Sequence, residues 1–381
     1  MNAKNSKKVR PGVALLVVLF IVMAITILSL GFVSRSDVEL ACGQNMLMKT
    51  QIDYLAESGL EHAKGLILNP QDVDSSVYWE GGTSLQLTSG SDFYEVKVER
   101  DTSDLCNYII DCSSYRLEGP ERTGLSRLQA VLRIDPCIAY WVGSNTTVSP
   151  QMTINGDVYC DDNLINDGTI NGDVFATGTI SGTNIEGQKI TVTEAPVAWP
   201  NLISTDFGLT YYIGSTPYSA EEVVDANHPT GGPFNPTGTN PAGIRYSNSN
   251  VNIPGDVNIN GTLVVNGTLR ISGLNNVITA EKNFPALLVT EQVIMEDGAS
   301  LVIQGLAQIQ GPITFDPNVI YASLQVKGGL FINNGGIEGI TSGSVVVSAD
   351  PAIASIETWP GSAPNRWRPM AGAFYRSIER K

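Results

Sequence analysis

A run of 21 residues without a charged side chain, from Val13 to Val33, constrains this chain more than any other part of its sequence. A helix of that length is about 30 Å long, which matches the hydrocarbon core of a bilayer. Four basic residues and no acidic residue precede the run: Lys4, Lys7, Lys8 and Arg10. The positive-inside rule therefore predicts a cytoplasmic N-terminus, with the bulk of the chain outside the cytoplasm.

We predict that this run is a single membrane-spanning helix in an inner membrane, with the rest of the chain in the periplasm or at the cell surface. Its lipid-facing positions include Val13, Leu19, Ile25, Leu30 and Val33. The alternative is a cleavable secretory signal peptide, which needs a shorter apolar core and a small-x-small cleavage site. Here the core is long and continues into Ser34-Arg35-Ser36.

The sequence after the run continues as a helix with one apolar face. Residues 34–68 contain no proline, and small or apolar residues recur there at steps of three and four: Ile52, Leu55, Ala56, Gly59, Leu60, Ala63 and Ile67. This spacing is typical of an amphipathic helix, and Asn69-Pro70 is a stop signal. We predict one helix over residues 13–70, embedded first in lipid and then packed on a globular head. The alternative is a separate coiled stem.

Two motifs on this helix resemble type IV pilin-like proteins. The first begins at Arg10 and reads RPGVALLVVL; the second begins at Leu55 and reads LAESGLEHA, which is similar to the A-E-x-G segment of those families. The match covers residues 8–68. It is nearest to the K-type minor pseudopilins of type II secretion and to PilX-type minor pilins.

This resemblance implies a processing site and a set of partners. A prepilin peptidase would remove a basic leader, residues 1–12, by cutting between Gly12 and Val13, and the new amino group would be methylated. The helix would wait in the lipid bilayer and then pack against other pilins or pseudopilins. Most pilins have Glu at the fifth mature position, where this chain has Val17. That departure argues against a major, polymer-forming pilin.

The segment 71–135 predicts a small β-rich head. Apolar and polar side chains alternate over residues 94–99 and 128–134, as in strands that are buried on one face. Pilin-like heads pack such an antiparallel sheet on the second half of the helix. The resemblance therefore implies an α+β arrangement for this part of the chain.

Five cysteines allow a disulfide, because we place them outside the cytoplasm. Cys106 and Cys112 are the first candidate pair, with Cys137 and Cys160 as alternative partners. An odd number leaves at least one thiol unpaired or bonded to another chain. The competing interpretation is that all five are reduced. The absence of a C-x-x-C pair speaks against zinc.

The second half of the chain contains short repeats. Ile/Val-x-Gly triplets occur twelve times between residues 154 and 339, and residues 153–158 recur in similar form at 169–174. Short apolar strands separated by Asn-Gly or Ser-Gly corners are typical of a β-solenoid, because Gly and Asn accept the left-handed backbone of a corner. Stacked Asn-Gly hairpins are the competing arrangement. The repeats are similar to those of bactofilin-like β-helices, a likeness that supports a fold and not a function.

The repeats divide the rest of the chain. The first rungs occupy residues 136–187 and the main β-solenoid residues 251–348. Between them, residues 188–250 lack the triplet and are rich in Pro, Gly and Tyr; we predict an insertion packed on the solenoid, with a partner-binding loop as the alternative. Residues 349–381 mix aromatic and basic side chains and are predicted to cap the solenoid end or to dock a partner.

Composition argues against several functions. The chain has 38 acidic and 23 basic residues, a net charge of −15, so it lacks the basic face that nucleic acid requires. It has two histidines and no Walker loop, nucleophile elbow or dinucleotide fingerprint. We predict no catalytic residues, no metal and no cofactor. Asp157 and Asp173 follow corner glycines, and we interpret them as solvated turn residues in preference to calcium ligands.

The predicted fold is α+β followed by all-β: a long N-terminal helix, a small antiparallel β head and a β-solenoid. The predicted function is a non-enzymatic minor pilin- or pseudopilin-like component of a type IV pilus or type II secretion apparatus, whose solenoid serves display or adhesion. The alternative is an inner-membrane-anchored scaffold whose solenoid polymerises end to end, as in bactofilins. A polysaccharide-acting β-helix enzyme is the least favoured alternative.

Overall fold

One long helix precedes two β structures. The structure is a computed structural model, and it describes residues 11–68, 80–200, 202–213, 215–223, 232–281, 284–354 and 372–381. Helix α1 spans Pro11–Leu68 without interruption. At a rise of 1.5 Å per residue its 58 residues extend for about 87 Å. It ends immediately before the predicted stop signal, so the prediction of one continuous helix is confirmed.

The second half of α1 packs on an antiparallel sheet, which we call the head. Its first four strands are β1 Gly81–Leu85, β2 Asp92–Arg100, β3 Asn107–Glu118 and β4 Glu121–Asp135. Each pairs with the next. The predicted alternation is present in β2, where Tyr94, Val96 and Val98 are buried and the side chains between them are more exposed.

The rest of the chain forms a β-solenoid from two stretches of sequence. The first stretch contains β5 Ile138–Val142, β6 Thr146–Val148, β7 Met152–Asn155, β8 Asp157–Cys160, β9 Leu164–Asn166, β10 Thr169–Asn171, β11 Val174–Ala176, β12 Ile180–Gly182 and β13 Lys189–Thr191. A 3₁₀ turn, Ser204–Phe207, and an antiparallel hairpin follow, the hairpin formed by β14 Thr210–Ile213 and β15 Thr216–Ser219. The second stretch contains β16 Glu221–Glu222, β17 Arg245–Ser247, β18 Val251–Ile253, β19 Asn258–Asn260, β20 Leu263–Val265, β21 Leu269–Ile271, β22 Asn276–Thr279, β23 Leu287–Val289, β24 Val293–Met295, β25 Ser300–Ile309, β26 Ile313–Phe315, β27 Ser323–Ile332, β28 Ile337–Glu338 and β29 Ser344–Ala349.

Each turn of the solenoid crosses three faces. Face I stacks its strands in the order β13-β11-β8-β5-β27-β25-β23-β20-β17-β16, and face II in the order β10-β7-β29-β27-β25-β22-β19. Face III consists of two sheets, β12-β9-β6 and β18-β21-β24-β26-β28. Neighbouring strands on these faces are parallel, and the inward-facing Ile, Val and Leu side chains share one core. The predicted solenoid is confirmed, and the hairpin stack is not found in the repeats that the structure describes.

The glycine of the Ile-Asn-Gly repeat allows neighbouring corners to approach each other. A Cβ atom built on Gly172 would lie 2.3 Å from the carbonyl oxygen of Gly156, one turn away. Gly156 itself has a φ of +129°, which side chains rarely tolerate. Stacking at the spacing of a β-sheet therefore requires glycine at this corner.

The chain does not follow the solenoid from one end to the other. It enters at β5, which lies in the middle of face I between β27 and β8. Residues 138–191 run from there to one end. The chain then crosses to the opposite end, and residues 221–349 run back until β29 pairs with β7. The solenoid is continuous in space, although its middle joins two distant parts of the sequence.

The described residues of the crossing segment, 195–200, 202–213 and 215–220, pack along face I, and we call them the strap. Its aromatic side chains contact aromatic side chains of the solenoid: the ring centroids of Trp199 and Trp141 are 4.9 Å apart, and those of Tyr211 and Phe284 are 5.9 Å apart. Tyr211 is fully buried. The strap therefore covers apolar side chains on the outer surface of this face.

The last strand, β30 Gly372–Arg380, pairs with β4 and becomes the fifth strand of the head. The prediction that this part of the tail caps the solenoid is wrong. The hydroxyl of Tyr375 donates to a backbone carbonyl of α1 at 2.9 Å, and Arg380 forms ion pairs with Asp53 at 2.6 Å and Glu57 at 3.1 Å. The helix and the edge of β4 thus hold the tail. The other residues of the expected cap lie outside the described residues: Trp359, Arg366, Trp367 and Arg368.

The disulfide joins Cys106 to Cys137, so the first candidate pair, Cys106–Cys112, is wrong. Cys112 lies within the extended strand β3, six residues beyond Cys106, which places them about 20 Å apart along the strand. A disulfide requires Cα atoms within about 7 Å. Cys137 meets that limit, with its Cα atom 6.1 Å from that of Cys106. Cys42, Cys112 and Cys160 are free thiols.

An ion pair beside this disulfide joins the head to the solenoid. Arg133 of β4 lies 3.2 Å from Asp157 of β8, and Asp157 also accepts hydrogen bonds from the backbone N–H groups of Cys137 and Asp173 at 2.6 and 2.9 Å. Asp157 is fully buried, so its interpretation as a solvated turn residue is wrong. Burial raises the pKa of this carboxyl, against the opposing effect of its hydrogen bonds and of Arg133.

Peptide mapping without reduction should recover one cross-linked peptide that contains Cys106 and Cys137. In the folded protein an alkylating reagent should label Cys42, which is exposed, whereas Cys112 and Cys160 should react only after unfolding because both are buried. A cross-link between Cys106 and Cys112 would contradict the structure.

Substitution of Arg133 by Met should destabilise the protein by about 3–5 kcal/mol, because it leaves the buried carboxylate of Asp157 without its cation. The control is Arg127→Met on the same strand: in its ion pair the Arg127 side chain is 53% exposed and that of Asp111 23% exposed, so the pair is worth about 1 kcal/mol. Urea unfolding of the detergent-solubilised chain measures both.

The loss in the Arg133 variant should shrink as the pH is lowered. Burial already raises the native pKa of Asp157 and Arg133 opposes that rise, so removing Arg133 raises this pKa further above its unfolded value. The folded variant therefore takes up the proton at a higher pH than the folded wild type, and acidification stabilises the variant more. Equal losses for the two variants, independent of pH, would contradict this account.

Candidate functional site

The first half of α1 is the candidate functional site, because it presents a long apolar surface that the other described residues leave uncovered. Every residue from 13 to 47 is exposed. The most apolar window has a mean hydropathy of 3.1 and is 0% buried, so by length and composition the helix is able to cross a membrane. The predicted lipid-facing positions are all exposed: Val13, Leu19, Ile25, Leu30 and Val33. A membrane anchor and a signal sequence both fit these properties.

The predicted processing residues lie at the start of this helix. Gly12 and Val13 belong to the first turn of α1, and the side chain of Val13 is exposed. Residues 1–10 of the predicted leader lie outside the described residues. Val17, at the fifth position after the expected cleavage bond, is exposed and apolar. It therefore offers no carboxylate to a neighbouring N-terminus.

The second half of α1 buries the predicted apolar face. Six of the seven predicted positions are buried against the sheet, and Leu55 is half-buried: the six are Ile52, Ala56, Gly59, Leu60, Ala63 and Ile67. Strands β2, β3 and β4 provide the opposite surface. Residues 13–47 of the same helix are exposed. The helix therefore changes from a free surface to a packed one near residue 48.

Gly59 of the LAESGLEHA motif brings the helix into close contact with the sheet. A Cβ atom at this position would lie 2.4 Å from Sγ of Cys112 and 3.0 Å from the ring of Tyr94. Burial raises the pKa of the Cys112 thiol to about 12, so the thiol stays neutral and packs as a small apolar group. The Tyr94 hydroxyl shares a hydrogen bond of 2.8 Å with Nδ1 of His62 on the same helix. The glycine thus has a packing role on this helix.

Sequence analysis missed the polar contacts that hold this half of the helix. Ser114 donates to the backbone oxygen of Ile52 at 2.7 Å, and Ser126 donates to Asp53 at 2.7 Å. Arg380 reaches the same Asp53 from 327 residues away in the sequence. Alternation over residues 128–134 marks β4, which carries Ser126, but no local pattern indicates a contact over such a distance.

Two grooves lie away from the helix. One, of about 690 Å³, lies on face III where β28 and β6 face each other without pairing; its lining combines Asn, Thr and Gly residues and Glu338 with three isoleucines, Ile165, Ile337 and Ile340. The other, of about 900 Å³, separates the head loop 102–106 from face II. Over the part of the chain that the structure describes, no group of three or more His, Cys, Asp or Glu side chains is placed to hold a metal ion.

Comparison with known proteins gives little for this chain. No family model and no curated protein matches it. Among solved structures, it is similar to the competence-associated pilin ComZ from Thermus thermophilus, with 11% sequence identity and a TM-score of 0.27 over 87% of this chain and 97% of that one. A superposition at this level establishes neither fold nor function, so both rest on the geometry described above.

Replacement of Gly59 by Ala should destabilise the head by about 1–3 kcal/mol, because the new methyl group overlaps Cys112. Gly65 is the matched control: it lies on the same helix with nothing within 4 Å of its Cβ position, so Gly65→Ala should stabilise by up to about 1 kcal/mol. Thermal unfolding of the two variants in one detergent makes the comparison. Equal stability of the two variants would show that the close contact of Gly59 with Cys112 does not affect the free energy of unfolding.

Proposed function

We propose that this chain is a minor pilin- or pseudopilin-like component of a type IV pilus or type II secretion apparatus, anchored in the inner membrane before assembly. The observation that carries the proposal is the division of α1. One uninterrupted helix is apolar and free over its first half, then built into the head over its second half. The exposed first half of the helix is therefore available to contact lipid and other helices.

The length of the free segment favours an assembly over a simple anchor. Residues 13–47 extend for about 52 Å, whereas the hydrocarbon core of a bilayer accounts for about 30 Å. Beyond Val33, four further apolar side chains remain at least 64% exposed: Val38, Leu40, Met46 and Leu47. A bilayer that holds residues 13–33 does not cover them, whereas neighbouring helices of a filament do.

The solenoid would be the part that the assembly displays. It is joined to the head at its middle, through the Cys106–Cys137 disulfide and the Arg133–Asp157 pair. The strap covers part of face I, and the head lies beside face II. Among the described residues, face III with its groove therefore remains for contact with other molecules, and we propose display or adhesion without catalysis.

Mass spectrometry of the native protein from its own envelope tests the proposal. We expect a mature chain that begins at Val13 with a methylated amino group. Gly12→Val should block this processing, whereas Gly31→Val, a matched change in the same apolar helix with open space around it, should leave it intact.

Two other results would each end the proposal in its present form. An uncleaved chain that retains Lys4 to Gly12 would make α1 a permanent anchor and favour the scaffold alternative. A chain cut after the apolar run, near Ser34-Arg35-Ser36, would make the run a signal peptide and leave the protein without its free helix.

A further inference from the structure

The two ends of the solenoid differ from its middle in the residues that face inward. At inner turns of face I the inward positions are apolar, as at Val158 and Val174. In the terminal strand β13 the same position is Lys189, which pairs in register with Val174. Lys189 is the only lysine or arginine between Ile134 and Gly243. The single cation of this region thus lies in the core column of the last turn.

Lys189 spans the open end of the solenoid. Its ammonium group donates a hydrogen bond of 2.8 Å to the carbonyl oxygen of Gly182, so the side chain reaches from face I to face III. Around it, Ile180 and Ile185 pack on the core but are only half-buried, because β12, which carries Ile180, and the isolated bridge at Ile185 are the last of their ladders in the described residues. Beside the lysine, this end therefore presents aliphatic side chains and strand edges that no other described strand pairs.

The opposite end is closed by a different arrangement. One turn inside this end, the inward position on face I is Leu263. In the two strands beyond it, the same position is Arg245 and then Glu221. The guanidinium group of Arg245 lies 4.0 Å from the centroid of the Phe234 ring and forms an ion pair of 2.6 Å with Glu221. The inward residues of the neighbouring strands, including Val251, are buried. This end therefore offers a charged, covered surface to a second solenoid.

These ends leave three ways for copies of the chain to stack, and each one buries charge. Joining two covered ends buries two Arg245–Glu221 pairs and gives a dimer of solenoids, not a polymer. Head-to-tail stacking requires the covered end and buries the Arg245–Glu221 pair against Lys189. Two-fold stacking of the lysine ends places Lys189 against Lys189 of the second copy, and like charges in a desolvated contact repel. A charged side chain, lysine in particular, is a known means of protecting a sheet edge from such pairing.

We infer that Lys189 closes the solenoid to a second copy of the chain, so that the solenoid is a finite unit and not a segment of an end-to-end polymer. The inference is independent of the proposed role of α1. It makes one residue responsible for blocking the lysine end, and it argues against the bactofilin-like scaffold.

The test compares three full-length chains in the same detergent: wild type, Lys189→Val and Lys189→Arg. Valine is the residue that the inner turns have in this column, and arginine retains the charge. Sedimentation over a range of protein concentrations should show self-association of the valine variant at least about tenfold tighter than that of the other two. Association through α1 affects all three alike and cancels in the comparison.

The substitution Ser181→Cys, at an exposed position beside this end, combined with Cys42→Ser, locates the contact. In the valine variant it should form an intermolecular disulfide, and the arginine variant should form little. Equal association of valine and arginine variants would overturn the role of the charge. End-to-end polymers of the wild type would overturn the inference itself.

Discussion

The parallel pairing of β5 with β27 is the contact on which the rest of this structure depends. Tyr140, Trp141 and Val142 pair with Leu330, Phe331 and Ile332, although 190 residues separate the two strands. Without this ladder and the adjoining β29–β7 ladder on face II there would be two short half-solenoids, each with an additional uncovered end. With it, the apolar columns run through the joint without interruption, and no single turn has to bury its core alone. The point where the chain enters the solenoid thereby becomes its centre.

The same joint also sets the position of the head. The chain leaves β4 at Asp135 and enters the solenoid three residues later, and it returns to the head as β30 after the solenoid is complete. The disulfide and the buried carboxylate of Asp157 lie at this crossing. The charge of Asp157 is therefore buried where the head and the solenoid meet. Its contacts form only when both the head and the solenoid are in place. The head and the solenoid are therefore joined by a short, packed connection and not by a long linker.

The local periodicity of the sequence correctly predicted the buried face of the helix and the repeating turns of the solenoid. The three-and-four spacing from Ile52 to Ile67 gave the buried face of α1, and the Ile-Asn-Gly triplets gave the corners and the inward column. Predictions failed where partners lie far apart in sequence. Cys106 bonds to Cys137 because β3 holds Cys112 at a distance, and the aromatic-basic tail pairs with β4 because that edge is free. The packing role of Gly59 lies between these cases: the motif marked the residue, and only the sheet opposite it shows why a side chain does not fit.

The sequence by itself determined the free apolar helix, the solenoid repeats and the acidic surface, because each follows from the identity of near neighbours along the chain. Only the tertiary structure decided the order of the turns, the disulfide partner, the burial of Asp157 and the place of Lys189 at an end of the solenoid. These depend on which strands become neighbours when two distant segments stack. A repeat specifies how a turn packs on another turn, but it does not specify which turn of the chain that will be.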